Sequence, residues 1–151
     1  MLDLEAIELI KQLKARYFRA IDTCNLELLQ GMLTPDIKLA FVSPTYQIHV
    51  EGLEQVLGFY QNAFTATRLA THNGHTPEIE VNGDHATALW YLSYVFINLE
   101  DKTHIHGSAI YQDRYIKCDG QWMIAETGYQ TLLETIEPLR AELQIISKPI
   151  N

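Results

Sequence analysis

The chain has 151 residues, 47% of them hydrophobic, enough for one globular domain to bury most of the surface its unfolded form exposes. Eleven basic residues stand against nineteen acidic ones, a formal charge of −8, and no lysine or arginine cluster makes a phosphate-tracking face, so nucleic acid is not an expected partner. The opening Met-Leu-Asp-Leu-Glu lacks the basic segment and apolar core of a secretion signal, and no apolar run approaches the roughly 20 residues that span a bilayer, so a soluble, cytoplasmic protein with no membrane partner is expected.

The first predicted element is a long amphipathic helix: Ile7, Ile10, Leu13, Tyr17 and Ile21 recur at intervals of three and four, with Glu8, Lys11, Lys14 and Arg19 mostly on other faces. A short second helix is expected from near Asn25 to Leu33, capped by Asn25 or Thr23. It stops before Thr34-Pro35, because the residue preceding a proline resists the helical region. Two short strands, around Ile37 to Val42 and Tyr46 to Val50, fold back through Ser43-Pro44-Thr45, and a third helix fits Leu53 to Phe64. Cys24 and Cys118 are far apart and form no Cys-x-x-Cys unit, which points to two reduced thiols.

The second half reads as a four-stranded antiparallel meander. Glu78 to Val81 and Ala86 to Leu99 flank Asn82-Gly83-Asp84, and Ile105 to Lys117 and Gln121 to Tyr129 flank Asp119-Gly120. Asn-Gly and Asp-Gly supply the positive backbone angles of tight hairpins. In the longest strand, Trp90, Leu92, Tyr94 and Phe96 share one face and Leu89, Tyr91, Val95 and Ile97 the other, so both faces need cover. Helices can cover one, and a second copy of the chain part of the other. The tail after Pro138, with Leu139, Leu143, Ile145 and Ile146, reads as a short terminal helix, a lid or a dimer contact.

The stretch THNGHTPEI, residues 71 to 79, puts two histidines and an asparagine around a glycine just ahead of a predicted strand. His72 and His75 have His-x-x-His spacing, and His104 and His106 alternate so that both point to one strand face. Spacing alone leaves three readings open: a metal site of imidazoles, a catalytic base with its neighbour, or polar side chains on a turn. Glu126, between apolar neighbours, is either a buried carboxylate in a network or a second acid.

Several segments carry a family resemblance. Arg16-Tyr17-Phe18-Arg19-Ala20-Ile21-Asp22, His72-Asn73-Gly74-His75-Thr76-Pro77-Glu78-Ile79, Ala88-Leu89-Trp90-Tyr91-Leu92 and Gly120-Gln121-Trp122-Met123-Ile124-Ala125-Glu126-Thr127-Gly128-Tyr129, in this order of helices and strands, resemble the SnoaL-like branch of the NTF2-like superfamily. The likeness runs from about Leu4 to Tyr129 and includes the bile-acid 7α-dehydratase, scytalone dehydratase and lindane dehydrochlorinase types. It implies an α+β cone, a curved antiparallel sheet closed by three helices around a cavity, usually dimeric. The superfamily holds dehydratases, dehydrochlorinases, isomerases, cyclases and non-catalytic binding domains, so fold does not name a reaction.

In the dehydratases and the dehydrochlorinase, a cavity histidine removes a proton and an aspartate near the end of the first helix orients it. The matching residues are His72 and Asp22. Neutral imidazole can take a proton when a carboxylate holds its other nitrogen as the donor. Asp22 would otherwise cap the second helix. Tyr17 matches a cavity tyrosine of the bile-acid enzymes, although it also sits on the apolar stripe as a core residue would. Tyr94 stands where those enzymes carry a further acid, and Thr131 where they carry an arginine. Tyr94 either replaces the acid as a donor or shrinks the cavity. With Trp90, Leu92 and Phe59 as walls, Tyr94 and Thr131 complete the expected substrate contacts. The resemblance implies no cofactor and no metal. The function expected is a dehydratase-like lyase or an isomerase acting on a small hydrophobic or polycyclic molecule, with a binding or assembly domain as the alternative.

Overall fold

In the computed structural model, which describes residues 1–147, helices lie against one face of a curved, unclosed six-stranded sheet. Helix α1 (Leu4–Asp22) starts where the Asp3 carboxylate accepts a hydrogen bond from the Ala6 N–H at 3.0 Å, satisfying one of the orphan donors of the first turn. Ile10, Leu13, Tyr17 and Ile21 are buried as their spacing predicts. Lys14, expected on a polar face, is fully buried instead. It lies three, four and seven residues before Tyr17, Phe18 and Ile21, which puts it on their stripe.

Helix α2 (Leu26–Gln30) is capped by Asn25, whose Oδ1 accepts from the Leu28 N–H at 2.9 Å. It ends sooner than expected because strand β1 (Leu33–Val42) already begins at Leu33. The β1 register breaks between Leu33 and Lys38, around Pro35, which has no N–H for the ladder. Strand β2 (Gln47–Glu51) folds back on β1, and helix α3 (Leu53–Ala63) follows.

Strands β3 (Arg68–Asn82), β4 (His85–Asn98), β5 (Thr103–Cys118) and β6 (Gln121–Pro138) form the antiparallel meander. Asp119 and Gly120 both take positive φ, 50° and 79°, the pattern of a type I′ hairpin turn. The sheet order is β2-β1-β6-β5-β4-β3, with β1 parallel to β6. Two strands are longer than the sequence suggests. The THNGHTPEI stretch lies inside β3 rather than ahead of it, interrupted by a bulge at Thr76-Pro77 where Thr76 has φ 45°. Strand β6 continues past Tyr129 because a bulge at Leu132 restores the alternation that consecutive leucines break: Ala109 pairs with Thr131, and Ser108 with Leu133.

The core sits between α1, α3 and the inner face, where Leu39, Leu92, Tyr111, Tyr115 and Ile124 are buried, each worth about 1.5–3 kcal/mol for the large aliphatics. The outer face leaves Leu89 and Tyr91 39% and 47% exposed. Residues 139–147 have neither helix nor strand, so the described part of the tail is not the terminal helix considered above, and residues 148–151 lie outside the described part. Among the described residues no helix is long and apolar enough to cross a membrane.

Candidate active site

A cavity of about 450 Å³ opens at one end of the inner face. Phe41, Ile48, Phe59, Phe64, Phe96 and Ile105 give it apolar walls, while His72, Tyr94, Tyr129 and Glu134 bring polar atoms to it. Such a space, mostly apolar with a few convergent polar groups, is the usual form of a small-molecule site. None of the described tail residues lines it, so they form no lid over this opening.

Strand parity separates the two histidines of the THNGHTPEI stretch. His72 points inward and lines the cavity, whereas His75, three residues on, lies on the outer face, its ring stacked on Tyr91 at 5.7 Å and its Nδ1 bonded to the Thr76 hydroxyl. The two cannot share a ligand. Asp22 closes α1 directly against β3. Its Oδ1 lies 2.6 Å from His72 Nδ1, and its Oδ2 accepts the His72 backbone N–H at 2.9 Å. One carboxylate thus fixes both the ring and the strand that carries it. Because Asp22 engages Nδ1, that nitrogen carries the proton in the neutral ring and Nε2 is left as the acceptor for a molecule in the cavity. Phe18 stacks on the imidazole at 6.0 Å and Phe64 meets it edge-on at 5.4 Å. Phe18 reaches that position over Gly74, where a Cβ would come within 2.3 Å of its ring.

The other polar groups continue the His72 register row across three strands, starting with Tyr94, whose ring lies 6.4 Å from the imidazole. Tyr94, Gly107 and Glu134 are register neighbours on β4, β5 and β6. A Cβ on Gly107 would lie 2.1 Å from the Tyr94 ring, so the missing side chain lets the phenol lie across the sheet and donate its hydrogen bond to the Glu134 carboxylate. Burial, with the Glu134 charge beside it, holds the Tyr94 phenol well above its ordinary pKa, keeping it a neutral donor. Tyr46 and Tyr129 also share a hydroxyl–hydroxyl hydrogen bond in the cavity lining.

Other expected site residues lie elsewhere. Phe59 lines the cavity, but Trp90 and Leu92 do not: they are buried farther along β4, where Trp90 Nε1 donates to the Tyr115 hydroxyl at 3.2 Å. Tyr17 is fully buried behind the cavity wall, its hydroxyl bonded to that of Tyr60, which does line the cavity. Burial pushes the Tyr17 phenol up to about 12. Thr131 does not line the cavity, and its buried Oγ1 has no partner among the described residues. Glu126 points outward to Arg114 at 3.0 Å. Sequence reasoning missed Glu134, because the strand was expected to end before it. The alternation Glu134, Ile136 after the Leu132-Leu133 pair was the only signal.

Beyond Tyr17 lies a second polar cluster with no opening. Lys14 Nζ meets the Asp113 carboxylate at 2.7 Å, with both side chains fully buried. Thr127 and Tyr115 donate to the same carboxylate at 2.7 and 2.6 Å, and the Lys14 ammonium sits 3.7 Å from the Tyr111 ring centroid.

This architecture recurs among solved proteins. The hexachlorocyclohexane dehydrochlorinase LinA-type3 of Novosphingobium barchaimii LL02 is 18% identical, with a TM-score of 0.79 over 96% of this chain and 97% of that one. A candidate scytalone dehydratase of Novosphingobium aromaticivorans is 19% identical, with a TM-score of 0.78 over 98% and 95%. Rv3472 of Mycobacterium tuberculosis, a protein of unknown function, is 28% identical, with a TM-score of 0.71 over 85% and 72%. At the lower identities the likeness is one of fold. Residues 2–128 match the sequence profile of the SnoaL-like domain, and the chain belongs to that family.

Proposed function

We propose that this protein is a cofactor-independent lyase of the dehydratase type, or an isomerase, in which His72 is the base. The observation that carries the reading is the Asp22–His72 contact at 2.6 Å on a ring that borders an apolar cavity. A base must be able to reach a substrate proton, and its tautomer must be right; here the carboxylate secures the second condition while the cavity permits the first.

The substrate is a small, neutral, largely apolar molecule with a carbonyl or other group that acidifies a neighbouring C–H. Phenylalanine walls favour an apolar body; of the charged residues in the lining, Arg68 is paired with Glu100 at 3.2 Å, while Glu134 opposes an anionic group at the far end of the His72 row. The single Tyr94 proton is committed to Glu134, whereas the Tyr46–Tyr129 pair, which also lines the cavity, uses one of its two hydroxyl protons; the second would hydrogen-bond the activating oxygen and stabilise charge as it develops there. His72 Nε2 takes the C–H proton, and the electrons move toward the activating group. In dehydration they then expel the neighbouring hydroxyl, which leaves as water with the proton returned by the imidazolium. In isomerisation the same proton returns to a different carbon. Either way the protein ends as it began.

The exposed Leu89 and Tyr91 support a homodimer through the outer face, which light scattering on the purified chain would test. For the reaction, purified protein should be offered a panel of neutral β-hydroxy ketones and unsaturated ketones, with water loss or double-bond migration followed by absorbance. We expect turnover by the wild type that His72→Ala loses by about 10²–10⁴-fold. Panel members that bind without reacting in the wild type would replace the lyase with a binding domain.

A further inference from the structure

Two further strand histidines stand close together away from the cavity. His104 and His106 are on β5, and Ile105 between them lines the cavity, so both point to the outer face. Glu137 on β6 is the register partner of His104 and shares that face. His104 Nδ1 lies 3.4 Å from Glu137 Oε1, the two imidazole centroids are 4.3 Å apart with planes tilted by 54°, and one ligand atom from each of the three residues falls within 4.8 Å of the others.

We propose that His104, His106 and Glu137 form a binding site for a zinc-class transition-metal ion. Ligands at zinc distances in a tetrahedron stand about 3.3 Å apart, so the His104–Glu137 pair already has the spacing and His106 needs only a small side-chain rotation. Two imidazoles and one carboxylate favour zinc, cobalt, nickel or copper over magnesium or calcium, which take all-oxygen shells. Three protein ligands leave a fourth position for water. Among the described residues Glu137 pairs with no lysine or arginine, so no fixed cation competes for it. The ordered backbone ladder, rather than a loop, sets the distances between the ligands.

The ion would tie the start of β5 to the end of β6. The opposite face of that β6 segment presents Glu134 and Ile136 to the cavity. Bound metal therefore clamps the strand that carries one end of the candidate active site, as a structural tie and not as a participant in proton transfer. His-x-His spacing was visible in the sequence, but its carboxylate partner was not, because the strand that bears Glu137 was not expected to reach so far.

The test uses tag-free, chelator-treated protein and zinc or cobalt alone. Equilibrium dialysis with elemental analysis should give one ion per chain, Co²⁺ should show the intense visible bands of a tetrahedral site, and zinc should raise the melting temperature. His104→Ala/His106→Ala should abolish uptake and the melting shift, and Glu137→Gln should weaken binding at least tenfold. His75→Ala, a surface histidine elsewhere on the same sheet, should leave binding unchanged. All variants replace partly or fully exposed side chains, and far-ultraviolet circular dichroism confirms that they fold. Absence of stoichiometric uptake by the wild type would overturn the proposal, as would uptake that survives the double substitution.

Discussion

Two acid–base pairs occupy the inside of this protein, and they differ in what is left over. At the closed end, Lys14 and Asp113 are fully buried, and the carboxylate also receives Thr127 and Tyr115. Nothing there can meet a ligand without dismantling the core. At the open end, Asp22 engages one nitrogen of His72 and the backbone N–H, leaving the other ring nitrogen uncommitted beside a cavity. Saturation leaves the first pair a structural role, whereas one free valence next to accessible space is what the proposed chemistry requires of the second. Charge or burial alone would select Lys14 and Asp113.

The sharpest way to break this comparison is to remove one member from each pair. Asp113→Ala leaves the Lys14 ammonium buried without its counter-charge and should cost about 3–5 kcal/mol, read as a fall in the urea midpoint. His72→Ala should change that midpoint little while removing about 10²–10⁴-fold of turnover. If Asp113→Ala instead spared stability and abolished turnover, the roles of the two ends would be exchanged.

The buried phenols between the two ends also predict alkaline lability. Burial raises the phenols of Tyr17, Tyr60, Tyr111 and Tyr115, with Tyr17 reaching about 12. Their folded-state pKa values exceed those of the unfolded chain, so their contribution is complete below about pH 10. Between pH 10 and the folded values only the unfolded chain gives up these protons, and stability falls by about 1.4 kcal/mol per pH unit for each tyrosine. Urea midpoints from pH 9 to pH 11.5 should therefore drop steeply, and an unchanged midpoint would remove the buried-phenol account. The smallest effect belongs to the Tyr94–Glu134 hydrogen bond. Tyr94→Phe deletes the hydrogen bond to Glu134 and should weaken ligand binding by roughly threefold to tenfold, an amount of about 0.5–1.5 kcal/mol.

The same contrast explains what could be read from the sequence. Asp22 and His72 were legible through the family resemblance, and strand parity separates His72 from His75 once β3 is known to include both. Lys14 was misplaced because a lysine on a helix is normally assigned to solvent. Its partner Asp113 lies ninety-nine residues away, and helical period carries no information about it. Trp90 and Leu92 share the inward face with Tyr94, as alternation requires, yet the cavity occupies only one end of that face. Where a curved sheet opens is decided by packing between distant elements, including the Tyr94–Gly107–Glu134 row, which depends on register across three strands. Glu134 itself was hidden by a bulge, a local irregularity that resembles a strand end.

The central claim is that Asp22 holds the His72 ring with Nδ1 protonated and Nε2 open to the cavity. Long-range proton–nitrogen NMR of the histidine side chains, assigned with His72→Gln and recorded where the ring is neutral, tests it directly. The account predicts a proton on Nδ1, a bare Nε2 whose resonance moves when a ligand enters the cavity, and loss of that tautomer preference in Asp22→Asn. A neutral ring protonated on Nε2 would contradict it, because such a ring has no lone pair to offer the substrate.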